Sequence, residues 1–282
     1  MCRRPILRWH GGKWRLADWI IKQLPPHRVY VEPFGGAASV LLRKPRSYAE
    51  IYNDRDAEVV NLFRVVRDQG DALRRLLEVT PFARAEFDLS YQPASDALEQ
   101  ARRTAIRSFM GFGTNLTKMT RAGLPMRTGF RACSTRSGTT PAGDWHNYPD
   151  CLADVIERLR GVVIENRPAI EVMHAHDGEQ TVHYVDPPYV ASMRDPGNDY
   201  RHELTDADHA ALAGHLCSLR GAVVLSGYPS PLYDSLYRGW RRIERQAYAD
   251  GARARVECLW LSPRCPPVGL FDAVDTLEPL SV

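Results

Sequence analysis

Three short apolar runs, each stopped by a polar turn-forming peptide, restrict the fold more than any other feature of the chain. Val29-Tyr30-Val31 stops at Glu32-Pro33-Phe34-Gly35-Gly36, the run from Ala49 to Tyr52 at Asn53-Asp54, and Val182 to Val185 at Asp186-Pro187-Pro188-Tyr189. Runs of β-branched and aromatic residues bounded by Gly, Pro and Asp read as strands. Elsewhere the spacing is helical: Val59, Val60, Leu62, Phe63 and Val66; Ala97 to Met110; Leu152, Val155, Ile156 and Leu159; and Thr205 to Leu219, with Thr205 as N-cap. Ala37 to Leu42 reads as the start of a helix and Ala169 to His174 as a short one. Further strands are expected at Val162-Val163-Ile164 and Ala222 to Leu225. Two more, Trp240 to Tyr248 and Arg255 to Leu261, would be joined by an Asp250-Gly251 turn. Strands alternating with helices on both sides of an irregular stretch, Gly111 to Asp144, give an α/β sheet interrupted by a second element. The expected division is a sheet domain formed by 1–66 and 148–282 around an inserted region, 67–147.

No apolar run approaches the roughly 20 residues that span a bilayer, and the basic start Met1 to Trp14 has no apolar segment of a secretory signal behind it. Six cysteines without a Cys-x-x-Cys pair disfavour a zinc ribbon or a disulfide framework. The expectation is a soluble protein of the cytoplasm. A net charge of +3 does not by itself point to nucleic acid, but its distribution does. Ala101 to Gly143 contains no acid in a chain that has 34, yet it holds Arg102, Arg103, Arg107, Lys118, Arg121, Arg127, Arg131 and Arg136. Concentrated positive charge is the footprint of a polyanion partner, and a solvated basic loop would look the same.

The strand-end peptides carry the chemistry. Two glycines at the end of a strand let a ligand approach the backbone, and Asp54 follows Gly35 by 19 residues. That is about the distance at which nucleotide folds set an acid against a ribose hydroxyl. Ala37-Ala38-Ser39 departs from the dinucleotide fingerprint, so a nucleoside-containing cofactor other than NAD fits better; a tight turn with an exposed Asp is the plain alternative. In Asp186-Pro187-Pro188-Tyr189 the prolines leave the strand rigidly. A carboxylate and a carbonyl then face the same way and suit an exocyclic amine, with the Tyr189 ring as a stacking face. His174-x-His176 and His183 lack carboxylate or cysteine partners at metal spacing, so no metal is expected. No Gly-x-Ser-x-Gly elbow supports a hydrolase.

Four blocks in this order resemble the D12 class of DNA adenine N6-methyltransferases: Trp9-His10-Gly11-Gly12-Lys13, Val31 to Gly36, Asn53-Asp54, and Asp186 to Tyr189. The resemblance covers most of the chain and is weakest in the basic segment. It implies a Rossmann-like class I S-adenosylmethionine-dependent methyltransferase sheet with an inserted, mainly helical or irregular DNA-recognition region. It implies S-adenosylmethionine contacted by Trp9, Lys13, Glu32, Phe34, Gly35, Gly36, Asp54, Asn166 and Asp186, with Asp186, Pro187, Pro188 and Tyr189 as the catalytic tetrapeptide. Lys118, Arg121, Arg127, Arg131 and Arg136 would grip double-stranded DNA. Ser226-Gly227-Tyr228 would line the target pocket or form a plain turn, and the hairpin from Arg253 to Leu261 would be structural.

The implied activity is methylation of adenine N6 in duplex DNA by base flipping and direct in-line transfer, by a monomer without metal or membrane. A cytosine N4-methyltransferase is the nearest rival, followed by a glutamine or RNA methyltransferase. A non-catalytic DNA-binding protein on a methylase fold is the rival of a different class.

Overall fold

The computed structural model describes residues 2, 4–113, 126–132, 138–194, 200–248 and 254–266. Their strands are β1 (Val29–Glu32), β2 (Ala49–Asn53), β3 (Val162–Glu165), β4 (Thr181–Val185), β5 (Ala222–Gly227), β6 (Arg241–Tyr248) and β7 (Ala254–Leu261). They form one sheet in the order β3-β2-β1-β4-β5-β7-β6. β1 to β5 are mutually parallel, whereas β7 runs antiparallel to both β5 and β6. The expected Rossmann-like sheet and C-terminal hairpin are therefore present; the Asp250-Gly251 turn lies outside the described residues.

Every residue of β4 and β5 is buried, as parallel strands covered on both faces require. Successive residues of β5 enter different cores. Val224 packs with Tyr30, Tyr52 and Tyr184, and Val223 and Leu225 pack with Leu212, Leu216 and Trp260.

The helices are α1 (Ala17–Ile21), α2 (Ala57–Glu78), α3 (Arg84–Leu89), α4 (Ala97–Met110), α5 (Pro141–His146), α6 (Tyr148–Leu159), α7 (Ala169–Ala175), α8 (Asp206–Ser218) and α9 (Pro231–Leu236). The N-caps are local chemistry. Asp56 accepts from the Glu58 amide, Asp96 from the Glu99 amide, and Thr205 forms a reciprocal capping box with Asp208. α1, α3 and α9 have five or six residues, too few for a periodic pattern to announce them.

One expected helix is absent. Residues 37–42 form successive turns because Ala38 takes a left-handed φ of +53° and the Leu41 amide donates to the Glu32 carboxylate at 3.0 Å. α2 is longer than its predicted stripe and continues past residue 66, with a break at Gln69 (φ −133°, ψ 27°). Directly after the break, Gly70 lets α6 approach: a β-carbon there would stand 2.4 Å from Cγ1 of Ile156. Gly70→Val should therefore destabilise the protein by about 1–3 kcal/mol through overpacking, as measured by the urea midpoint. An unchanged midpoint would mean that α2 and α6 do not need this contact.

Candidate active site

β1 lies between β2 and β4, so the chain crosses to opposite sides of the sheet from its two neighbours, leaving a crevice at the strands' carboxyl ends. A cleft of about 420 Å³ opens there. Trp9, Lys13, Glu32, Phe34, Gly35, Gly36, Asp54 and Asp186 all line it, from four separate stretches of sequence. Asn166 does not. Its side chain is exposed and donates to the Asp54 carbonyl at 2.7 Å, and Pro168, Ala169 and Ile170 form the nearby wall instead.

The glycine turn has a physical reason at each position. A β-carbon on Gly35 would lie 2.1 Å from Cε2 of Tyr52. Gly36 has a φ of +47°, and a β-carbon there would meet the Trp9 indole nitrogen at 2.5 Å. The Gly36 amide donates to Asp54 at 2.8 Å and the Gly35 amide to the Asn53 carbonyl at 2.8 Å, so the ends of β1 and β2 are stitched together. Burial pushes the Asp54 carboxyl up to about 6 despite these backbone donors.

At the end of β4, Asp186 lies 3.0 Å from the ammonium of Lys13, which also donates to the Gly11 carbonyl at 2.7 Å. The same ammonium stands 4.7 Å from the centre of the Tyr189 ring. Burial alone would discharge Lys13, but the Asp186 and Glu257 carboxylates hold it above the usual lysine range. Burial raises the Asp186 carboxyl, and the Lys13 charge pulls it partly back. Tyr189 is buried, its hydroxyl donating to Glu257 at 2.9 Å and its ring meeting Tyr228 edge-on at 4.7 Å. Glu257 belongs to the hairpin that sequence reasoning treated as structural; an acid in an alternating strand gives no signal that it faces a site.

A second wall was also missed. Tyr200, Arg201, His202, Glu203 and Leu204 border the cleft. Arg201 ties this loop to the start of α2 through Asp56 at 2.8 Å and Glu58 at 3.4 Å. His174 contacts His215 at 3.1 Å and His183 contacts Asp177 at 3.3 Å, and among the described residues no three His, Cys, Asp or Glu side chains form a group that could hold a metal.

The acid-free basic segment proves to be divided. Arg102 pairs with Glu86 at 2.6 Å and Glu99 at 2.7 Å, Arg103 pairs with Glu99 at 2.6 Å, and Arg107 pairs with Glu58. All three arginines are buried, and their partners lie outside the window Ala101 to Gly143. Their inclusion in a polyanion footprint is thus corrected, because charges far apart in sequence neutralise them. Arg127 is exposed and paired with Asp88 at 2.6 Å, and Arg131 lies 3.6 Å from Asp144. Lys118, Arg121 and Arg136 fall outside the described residues.

A family model described as D12 class N6 adenine-specific DNA methyltransferase matches residues 9–249. A DNA adenine methylase of Serratia marcescens is 35% identical over 107 residues, 34% of this chain and 39% of that protein. That of Escherichia coli K12 is 36% identical over 101 residues, 32% and 36% of the two chains. The matches to these curated relatives therefore span well under half of their length. A type II methyltransferase of Lactococcus lactis subsp. cremoris, M1.LlaDCHI, is 26% identical over 254 residues, 83% of this chain and 84% of that protein.

Glu32, at the floor of the cleft, accepts from the Tyr30 hydroxyl at 2.7 Å and the Leu41 amide at 3.0 Å. Burial pushes its carboxyl up from 4.5 to about 8. The folded protein keeps this proton while the unfolded chain releases it near 4.5, so Glu32 favours folding less and less as pH rises toward 8. Buried histidines such as His183, lowered by burial to about 4, oppose this only below their unfolded value of 6.5. Thermal stability should consequently fall between pH 6.5 and 8, and Glu32→Gln should flatten that slope. An equal slope in both proteins would show that Glu32 is ionised in the fold.

Proposed function

The chain belongs to the D12 class of N6 adenine-specific DNA methyltransferases, and from that membership we propose that it transfers a methyl group from S-adenosylmethionine to N6 of adenine in duplex DNA. The observation that carries this reading is the shared cleft, in which the glycine turn, Asp54 and the Asp186 carboxylate face one space. Asp54 and Asp186 together with the apolar Pro168, Ile170, Leu204 and Leu212 suit a ligand that joins a nucleoside to a cationic chain. S-adenosylmethionine is such a molecule, and when bound it supplies an electrophilic sulfonium methyl. Trp9, Lys13, Phe34, Gly35, Gly36 and Asp54 would hold it; Asn166 would act through the Asp54 backbone that its side chain supports.

Asp186 and the Pro187 carbonyl are the acceptors for the two N–H bonds of the target amine. Accepting both favours a pyramidal nitrogen whose lone pair is no longer shared with the ring. Methylation builds positive charge on that nitrogen, and an ionised carboxylate stabilises it best where water is excluded. Lys13 serves this step by drawing the Asp186 carboxyl back toward its charged form against the burial that raises it. Pro188 stiffens the turn, and Tyr189 bounds the space beside the amine. Transfer is direct, with positioning as the main contribution of the protein. An adenine inside a duplex cannot reach a carboxylate at the bottom of a cleft, so the base must leave the stack. Phosphates would be gripped by Arg127 and Arg131 together with Lys118, Arg121 and Arg136.

Labelled methyl incorporation followed by nucleoside mass spectrometry tests the reading. N6-methyladenine is expected; N4-methylcytosine, or no incorporation, would overturn it. Asp186→Ala should slow transfer at least several hundredfold, about 3–4 kcal/mol, with little change in DNA affinity. A rate within about tenfold of wild type would remove Asp186 from the mechanism. Arg127→Ala should weaken DNA binding and lower the salt-dependence slope by about one unit, leaving cofactor affinity unchanged. An unchanged slope would show that Arg127 meets no phosphate.

A further inference from the structure

We propose that Glu257 is a positioning residue for the transfer step, fixing through the Tyr189 hydroxyl where the ring stands beside the target amine; this rests on the methyltransferase reading above. The first side-chain torsion of a tyrosine has several staggered wells that swing the whole ring, so packing and hydrogen bonding must hold it in one of them. Three contacts do so here. The far end of the ring is tied to Glu257 at 2.9 Å, its edge meets Tyr228 at 77°, and the Lys13 ammonium stands over it. Its backbone is fixed separately by Arg194, which donates to the Tyr189 carbonyl at 2.8 Å.

Glu257 reaches the site from β7, 68 residues along the chain, at a strand position paired with Arg245. The tether thus joins the end of a loop side chain to a strand that pairs with β6 at Glu257 and with β5 from Cys258 onward. A neutral oxygen accepts from a tyrosine hydroxyl as a carboxylate does, so the tether asks only for an acceptor at this position. Lys13, paired with Asp186 at 3.0 Å, lies within electrostatic reach of Glu257 as well. Losing the tether frees the ring to swing toward the amine-binding space, and displacements of that size are what orientation-dependent transfer does not tolerate.

The test is a double-mutant cycle read as single-turnover methyl transfer at saturating DNA and cofactor, with folding checked by thermal melting and cofactor affinity by calorimetry. Glu257→Ala and Tyr189→Phe should each slow transfer about ten- to a hundredfold with cofactor affinity unchanged. The Tyr189 hydroxyl also interacts with the Asp186 carboxylate, so Tyr189→Phe should be the slower single variant. The double variant should be no slower than Tyr189→Phe, which already lacks the bond that Glu257→Ala removes. Glu257→Gln keeps an acceptor for the hydroxyl and should restore most of the rate. Additive losses, or a Glu257→Gln enzyme as slow as Glu257→Ala, would overturn the proposal, because Glu257 would then act by its charge. Should Glu257→Ala not fold, Tyr189→Phe decides alone, and a wild-type rate in that variant overturns it. A wild-type enzyme that transfers no methyl group to DNA refutes the methyltransferase reading, whereas full activity in Glu257→Ala refutes only this inference.

Discussion

One buried cation holds the cleft together. Lys13 joins the N-terminal segment to the end of β4 by reaching Asp186 and the Gly11 carbonyl together. Burial raises both the Asp186 and the Glu257 carboxyls, and the Lys13 charge is what draws each of them back. Removing one partner of a buried pair costs about 3–5 kcal/mol in other proteins, since the remaining charge is left without compensation. Around this ion the other choices become constrained: Trp9 must lie over Gly36, and the glycine turn must lie against Tyr52. The charged centre of the cleft and its structural clamp are here the same few atoms.

What could be read from the sequence were the parts whose cause is local. Apolar runs stopped by Gly, Asp and Pro mark strand ends because those residues end strands for reasons of their own backbone. Thr205 and Ala97 to Met110 were legible in the same way, through a capping hydroxyl and a sustained period. Eight of the nine residues expected to contact a cofactor do line the cleft, since their spacing follows strand lengths. The ninth, Asn166, supports the backbone behind it.

Three of the misses share a non-local cause. Ala37 to Leu42 has helical composition, but the buried Glu32 carboxylate takes an amide that a helix would need. Glu257 sits in a strand whose alternation says only which face is inward, not what waits there. The three arginines of α4 looked like free positive charge because their acids lie elsewhere in the chain, and only the folded chain brings the two together. A window of sequence reports composition; charge balance is a property of space.

Glu58 sits at the start of α2, where two arginines meet it from different directions: Arg107 from α4 and Arg201 from the loop that borders the cleft. Asp56, the cap of the same helix, is held by Arg201 as well. The region following α2 and the rim of the cleft are therefore fastened to a single acidic corner. For protein engineering this makes the intervening region a poor cassette. A foreign segment grafted between α2 and α6 would have to bring its own arginine to Glu58. Otherwise it would leave the second arginine as the sole counter-charge of that corner, and the rim would register the exchange.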